Sequence, residues 1–114
     1  MHLEALRAYC LSFPKATEDI KWDHDLCFSV GGKIFCVASL EPPLSFSFKT
    51  TPDQFHELTA MRGITPAPYL ARYQWVLVQE GHTLTPQQQE ELILTSYALV
   101  KGKLSKKDRV AAGV

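Results

Sequence analysis

The sequence predicts an α+β domain in which helices pack on one face of an antiparallel β-sheet. Three observations favour this fold class. Two β-rich runs flank Gly31-Gly32, a Thr-Pro-x-Gln helix start occurs twice, and the elements follow the order helix, four strands, helix, strand, helix. Strands that follow one another directly favour an antiparallel meander over the alternating βαβ units of a doubly wound sheet.

Apolar residues recur at helical spacing near the N-terminus and predict a first helix, which Pro14 must end. The apolar positions of this helix are Leu3, Leu6, Cys10 and Phe13. Beyond it, Ile20 and Trp22 alternate with polar neighbours, which indicates a short strand. The Asp-His-Asp sequence at 23–25 then supplies turn-forming residues.

The segment LCFSVGGKIFCVAS predicts a tight hairpin, because Gly31 and Gly32 tolerate the positive φ that a two-residue turn requires. Such a turn predicts four cross-strand pairs, which are Val30 with Lys33, Phe28 with Phe35, Cys27 with Cys36 and Leu26 with Val37. The two cysteines would then lie close enough for a cross-strand redox pair. We expect the alternative, in which two free thiols fill the less crowded face of the hairpin.

The second half of the chain predicts one more meander strand, two capped helices and a buried strand. Leu44, Phe46 and Phe48 alternate with polar residues, as in a strand with one buried face. Thr51 and Thr85 each begin a capping box with proline at the first helical position. Between the two helices lie the corner ITPAPYL and the strand QWVLVQE, whose consecutive apolar residues indicate burial on both faces or a central position in the sheet.

A chain of 114 residues, 46% of them hydrophobic, has the size and composition of one globular domain. We assign residues 1–104 to this domain and residues 105–114 to a basic, flexible C-terminal tail. No stretch is apolar enough to span a membrane, and the N-terminus does not resemble a signal peptide. The three cysteines fit no disulfide framework. We therefore expect a cytoplasmic monomer without a cofactor.

Twelve basic and twelve acidic residues cancel, so the overall charge gives no support to a nucleic-acid partner. The distribution is uneven, because residues 101–114 carry five basic side chains and one acidic side chain. This KGKLSKKDR segment can contact several phosphates, or it can be a solvated helix end whose cations complement the helix dipole. The candidate DNA-contacting residues are Lys33, Lys49, Arg62, Arg72, Lys101, Lys103, Lys106, Lys107 and Arg109.

Motifs for catalysis and for metal binding are absent from the sequence. No nucleophile elbow, phosphate loop, dinucleotide fingerprint or zinc-protease motif occurs, so no catalytic residue is predicted. Glu18, Asp19, Asp23 and Asp25, with His24, form an acidic edge that offers ligands to a hard cation. Because such residues are typical of turns and of protected sheet edges, we predict no metal site.

Four stretches resemble the MmcQ/YjbR family along nearly the whole chain. They are FPKATEDIKW, GGKIFCVASL with SFSFKT, GITPAPYLARYQWVLV and TSYALVKGKLSKKDR. The resemblance implies a fold similar to that of bacterial frataxin (CyaY-like), with helices on one face of an antiparallel sheet and a double-wing arrangement. It also implies DNA binding, and it carries no catalytic residue set.

The positions that match the family pattern are Lys33, Lys49, Pro66, Pro68, Tyr69, Trp75, Ser96, Tyr97 and Lys103. Most have a structural explanation, since prolines shape the corner and we expect Tyr69 and Trp75 to pack against it. Charged head groups gain little from a core. We therefore predict that Lys49 and Lys103 contact phosphate.

The sequence thus favours a non-enzymatic DNA-binding module that contacts the phosphate backbone with its hairpin and its basic tail. A protein-interaction or adaptor domain of unknown partner is the alternative, and the balanced charge presents no difficulty for it. Metal binding by analogy with frataxin is a third class. The first helix is not acidic, which argues against this class.

Overall fold

A computed structural model describes all 114 residues and contains four α-helices and six strands. The helices are α1 (Leu3–Leu11), α2 (Pro52–Thr59), α3 (Pro86–Gly102) and α4 (Lys106–Ala112). The strands are β1 (Thr17–Lys21), β2 (Asp25–Val30), β3 (Lys33–Ser39), β4 (Phe46–Lys49), β5 (Ile64–Pro66) and β6 (Trp75–Val78). No helix combines the length and the apolar character that a bilayer crossing requires.

All six strands form one antiparallel sheet in the order β1-β2-β3-β4-β6-β5. This sheet and the helices confirm the predicted α+β class. Strand β6 lies between β4 and β5, as its consecutive apolar residues predicted. Strand β5 was not predicted, because it is three residues long and ends in Pro66, which cannot donate a ladder hydrogen bond.

The core lies between the sheet and helices α1 to α3. Alternate side chains of each strand point to the same face. Two cross-strand rows supply most of the sheet's buried side chains, namely Leu26, Ala38, Phe46 and Val78, and Phe28, Cys36, Phe48 and Val76. The hydroxyl of Tyr97 on α3 donates a 2.7 Å hydrogen bond to the carbonyl oxygen of Pro14. This bond ties the segment after α1 to the long helix.

The β2–β3 hairpin contains a β-bulge that the sequence did not reveal. Val30 pairs with Lys33 beside the turn, as predicted, but Phe28 pairs with Cys36 rather than with Phe35. Phe35 is the extra residue on β3, and Phe35 and Cys36 both lie in the core. An inserted residue shifts every pair beyond it by one position. The predicted pair of Phe28 with Phe35 is therefore wrong.

The bulge also separates the two hairpin cysteines. Cys27 pairs with Val37, so the predicted pairs of Cys27 with Cys36 and of Leu26 with Val37 are wrong. Because successive side chains alternate between faces, Cys27 lies on the face away from the helices. Cys36 lies in the core beside Cys10 of α1. No cross-strand redox pair is possible in this register.

Both predicted capping boxes are present. At the start of α2, the Thr51 hydroxyl accepts a hydrogen bond from the Gln54 amide at 3.2 Å, and the Gln54 side chain accepts one from the Thr51 amide at 3.1 Å. Thr85 and Gln88 make the same reciprocal pair at the start of α3. These local signals were readable because each box involves residues only three positions apart.

The residues assigned to a flexible tail carry helix α4. Ser105 caps this helix by accepting a hydrogen bond from the Asp108 amide. The Arg109 guanidinium donates a 3.1 Å hydrogen bond to the carbonyl oxygen of Gly102, and Val114 packs against the core. The segment is helical because it supplies its own cap and an apolar contact, and its flexibility stays a prediction. The domain boundary at residue 104 stays a prediction.

The acidic edge of the sheet does not gather metal ligands. Glu18 instead forms an ion pair with Arg7 of α1, with an Nη2–Oε1 distance of 2.6 Å. The hydrogen bond from Arg7 lowers the pKa of the Glu18 carboxyl. No group of three or more His, Cys, Asp and Glu side chains is arranged to hold a metal ion.

Candidate functional site

Three of the nine predicted DNA-contacting residues line one surface pocket. Lys33 begins β3, Lys49 ends β4 and Lys103 follows α3. They line a cavity of about 290 Å³, together with Ile34, Trp75 and Val100. We call Lys33, Lys49 and Lys103 the lysine site. Its members are distant in sequence and meet because β3 and β4 are neighbours and α3 packs across them.

The lysine site holds positive charge without a carboxylate to balance it. The only ion pair in the protein joins Arg7 and Glu18, so none of the three amines has an acidic partner. Burial lowers the pKa of the Lys49 ammonium, and the neighbouring Lys103 amine lowers it further. Clustered like charges with a perturbed pKa are typical of sites that bind a ligand of opposite charge.

The dipole of α3 accounts for only one of these charges. Lys103 is the C-cap residue of α3, where a cation is favourable because the helix end carries partial negative charge. Lys33 and Lys49 lie on strands and have no such compensation. Helix electrostatics alone therefore does not explain the lysine site.

A buried serine positions Lys49. The Ser96 hydroxyl, on α3 and fully buried, accepts a 2.8 Å hydrogen bond from the Lys49 amide. The same hydroxyl donates a 2.6 Å hydrogen bond to the carbonyl oxygen of Phe35, the extra residue of the bulge. Ser96 thus joins β3, β4 and α3 at the point where the lysine site lies.

Close packing at the hairpin tip positions Lys103. Gly31 has a φ of 58°, and a Cβ atom there would lie 2.6 Å from Cδ1 of Leu104. Only glycine leaves this space, so the buried Leu104 side chain packs directly on the hairpin turn. The residue that precedes Leu104 is Lys103, which this contact holds at the end of the sheet.

Three further candidates lie outside the lysine site. The Lys101 amine lies 5.9 Å from the centre of the Tyr97 ring. The Arg72 guanidinium carbon lies 4.8 Å from the centre of the Tyr73 ring. Both contacts are within the range of cation–π interactions, which stabilise the fold locally. Arg62 is exposed between α2 and β5, and it lines neither the lysine site nor the groove described below.

The remaining three candidates belong to α4. Lys106 and Lys107 are exposed in the first turn of this helix, whereas Arg109 is half-buried and bonds the end of α3. None of the three lines the lysine pocket. The structure thus divides the basic C-terminal segment into Lys103, which joins the lysine site, Lys101, which lies over the Tyr97 ring, and a separate group on α4.

A wider apolar groove on the open sheet face adjoins the lysine site. It has a volume of about 800 Å³. Strands β3, β4 and β6 supply its floor, and the β1–β2 turn and the 67–70 segment supply its walls. Lys33, Ile34 and Trp75 line both this groove and the lysine pocket. We call it the sheet groove, and it forms one continuous surface with the lysine site.

Two exposed aromatic residues, which the sequence analysis missed, stand on the walls of the sheet groove. Trp22 is 63% exposed and Tyr69 is 98% exposed. They have φ values of 55° and 66°, which are uncommon for bulky residues. The expectation that Tyr69 packs against the corner is wrong, whereas Trp75 is buried as expected. The available signal was that each aromatic residue lies beside turn-forming or proline residues.

The chain is similar to one known protein family. A family model named YjbR matches residues 11–99. The chain belongs to the YjbR family. The match confirms the resemblance noted in the sequence, and it includes Lys33 and Lys49 but ends before Lys103. This family is not a known enzyme family.

Two crystal structures share the fold. One is a Deinococcus radiodurans protein with a DUF419 domain, with a TM-score of 0.86 and 28% identity over 98% of this chain and 88% of that chain. The other is a Pseudomonas syringae protein, with a TM-score of 0.73 and 17% identity over 88% of this chain and 99% of that chain. The second likeness shows the fold alone. No curated protein matches the chain.

Proposed function

We propose that this domain is a non-enzymatic DNA-binding module that contacts the phosphate backbone through the lysine site. The observation that carries the proposal is the convergence of three lysines without an acidic partner, among which Lys49 has a lowered pKa. A phosphate placed there supplies the missing negative charge and accepts hydrogen bonds from the ammonium groups. The proposed module acts as a cytoplasmic monomer.

The balanced charge of the chain limits how many phosphates it binds. Three phosphate contacts predict a slope between about −2 and −3 in a plot of log affinity against log salt concentration. Contacts from all nine candidate residues predict a slope of about −8. We expect the smaller slope, because only three of the nine residues line the pocket. Titrations at several salt concentrations measure it directly.

Paired variants test where the DNA binds. The Lys49→Ala/Lys103→Ala variant removes two charges from the lysine site, and the matched Lys106→Ala/Lys107→Ala variant removes two exposed charges from α4. In anisotropy titrations with fluorescein-labelled DNA at low salt, we expect the first variant to lose about tenfold or more in affinity. The second should lose far less.

Two outcomes would overturn the proposal. One is the absence of binding by the wild-type protein to single-stranded and duplex DNA even at low salt. The other is equal affinity of the wild type and the Lys49→Ala/Lys103→Ala variant, with circular dichroism showing that the variant is folded. If only the Lys106→Ala/Lys107→Ala variant loses affinity, the DNA contacts α4 rather than the lysine site.

A protein-interaction domain is the second candidate function, and the apolar sheet groove favours it. Seven of the twelve residues that line the groove are hydrophobic. Exposed apolar patches of this kind mark interaction sites in soluble domains. Affinity capture with the wild type and with the Tyr69→Ala variant tests it. A stoichiometric protein partner that survives nuclease treatment and is lost with Tyr69→Ala would support this function over DNA binding.

A further inference from the structure

We propose that the sheet groove binds unpaired bases, so that the preferred ligand is single-stranded rather than duplex nucleic acid. The inference rests on the proposed function and deepens it, since it specifies the ligand that the lysine site would hold by its phosphates. Its basis is the exposed aromatic walls of the groove, together with the continuity between groove and lysines.

The aromatic walls of the groove have no role in the core. Trp22 and Tyr69 lie toward opposite edges of the sheet and line the same groove. Trp22 belongs to the turn after β1, and Tyr69 belongs to the segment between β5 and β6. Both keep most of their surface in solvent at a backbone conformation that bulky residues seldom adopt. Strained, exposed residues beside a cavity are typical of binding sites.

Aromatic faces bind unpaired bases by stacking, and this requires the base face to be free. In a duplex the base faces are covered by neighbouring pairs, and only the edges remain open in the grooves. The sheet groove therefore matches the chemistry of a single strand. Its volume of about 800 Å³ and its apolar floor of Ile34, Val37 and Trp75 leave space for bases between the walls.

The charges around the groove give the ligand an orientation. Lys33 lies where the groove meets the lysine site, so the phosphates of the strand lie at that end. Asp25 is the only carboxylate that lines the groove. It repels phosphate but accepts hydrogen bonds from the N–H groups of bases, so bases rather than backbone lie beside it.

Three labelled probes of about 12 nucleotides distinguish contacts with bases from contacts with phosphates. They are oligothymidylate, an abasic strand of equal length that keeps every phosphate, and a blunt-ended duplex of equal length. We expect the wild-type protein to bind oligothymidylate about tenfold or more tighter than the other two. Equal affinity for the abasic strand, or tighter binding of the duplex, would overturn the inference even if the lysine-site variant still loses affinity.

Variants of the wall residues provide the second measurement. Tyr69→Ala should lose about tenfold in affinity for oligothymidylate, Tyr69→Phe should keep most of it, and both should bind the abasic strand like the wild type. Tyr73→Ala is the matched control, because Tyr73 is 47% exposed but does not line the groove. Unchanged affinity of Tyr69→Ala for oligothymidylate would also overturn the inference.

The outcomes distinguish this inference from the function on which it rests. If no probe binds, the proposed DNA-binding function fails and the inference fails with it. If all three probes bind equally and only the lysine-site variant weakens them, the phosphate contact stands and base stacking is refuted. If the wall variants lower only oligothymidylate affinity, both proposals are supported.

Discussion

The hydroxyl of Ser96 on α3 donates a 2.6 Å hydrogen bond to the carbonyl oxygen of Phe35, which is the extra residue of the β3 bulge. A bulge leaves one residue outside the regular ladder, and here the helix satisfies its carbonyl group. Because the same hydroxyl accepts a hydrogen bond from the Lys49 amide, it joins the bulge of β3 to the strand that carries Lys49.

Removal of this hydroxyl should destabilise the protein. In the Ser96→Ala variant, two buried backbone groups, the Phe35 carbonyl and the Lys49 amide, lose their partner, and the expected cost is about 1–3 kcal/mol. Urea unfolding monitored by circular dichroism measures this change. Thr95→Ala is the matched control, since the Thr95 hydroxyl bonds only the Glu91 carbonyl of its own helix. Equal stability of the two variants would contradict the role of Ser96.

The hairpin tip offers a matched pair of glycine variants. Gly31 and Gly32 both have positive φ, so alanine at either position should cost about 1 kcal/mol in backbone strain. A Cβ atom at Gly31 would also lie 2.6 Å from Leu104, whereas nothing lies within 4 Å of one at Gly32. We therefore expect Gly31→Ala to lose about a further 1 kcal/mol. Equal unfolding midpoints for the two variants would show that Leu104 moves freely.

Local signals made much of the fold predictable. The two partners of each capping box are only three positions apart, and the Gly31-Gly32 turn is adjacent to the strands that it joins. The bulge was not predictable in the same way, because the carbonyl of Phe35 is satisfied by Ser96, which lies 61 residues further along the chain. The pairs next to the turn match the prediction, and every pair beyond the bulge is shifted by one position.

The candidate site was predictable only in part, because its residues are distant from one another in the sequence. Lys33, Lys49 and Lys103 were all proposed from the sequence, but no local pattern shows that they meet and that Arg62 does not join them. That convergence depends on strand order and on the packing of α3. The sheet groove was missed because Tyr69 is an aromatic residue in a proline-rich corner, where we expected it to be buried. Its side chain is instead exposed.

The three cysteines should be unreactive in the folded protein. Cys10, Cys27 and Cys36 are free and have no exposed surface. A hydrogen bond with Cys10 and burial raise the pKa of the Cys36 thiol, and burial raises that of Cys27, so little reactive thiolate forms at neutral pH. Ellman's reagent should label no thiol rapidly in buffer and all three in urea.

A thiol that reacts within seconds in buffer would contradict this burial. The Cys27→Ser variant identifies its source, because Cys27 is the only cysteine on the face of the sheet that carries the groove. If the rapid label persists in this variant, the core around Cys10 and Cys36 opens. If it disappears, the open face gives access to Cys27.

Ligand binding should depend on pH through Lys49. Burial and the Lys103 amine lower its pKa in the free protein, and a bound phosphate favours the charged form and raises the pKa again. Affinity should therefore fall as the pH rises through the lowered pKa of Lys49, below the pH of about 10.4 at which an ordinary lysine titrates. Anisotropy titrations with oligodeoxyadenylate, whose bases do not titrate in this range, follow the effect.

The Lys49→Arg variant separates this titration from other effects of alkaline pH. Its guanidinium stays charged throughout the range, so its affinity should remain nearly constant where that of the wild type declines. Stability should change in the opposite direction in the wild type. The unfolded chain binds more protons than the folded one between the lowered pKa and the ordinary lysine value, so unfolding becomes less favourable as the pH rises there. A parallel loss of affinity in both proteins would assign the decline to another group and would remove Lys49 from the phosphate contact.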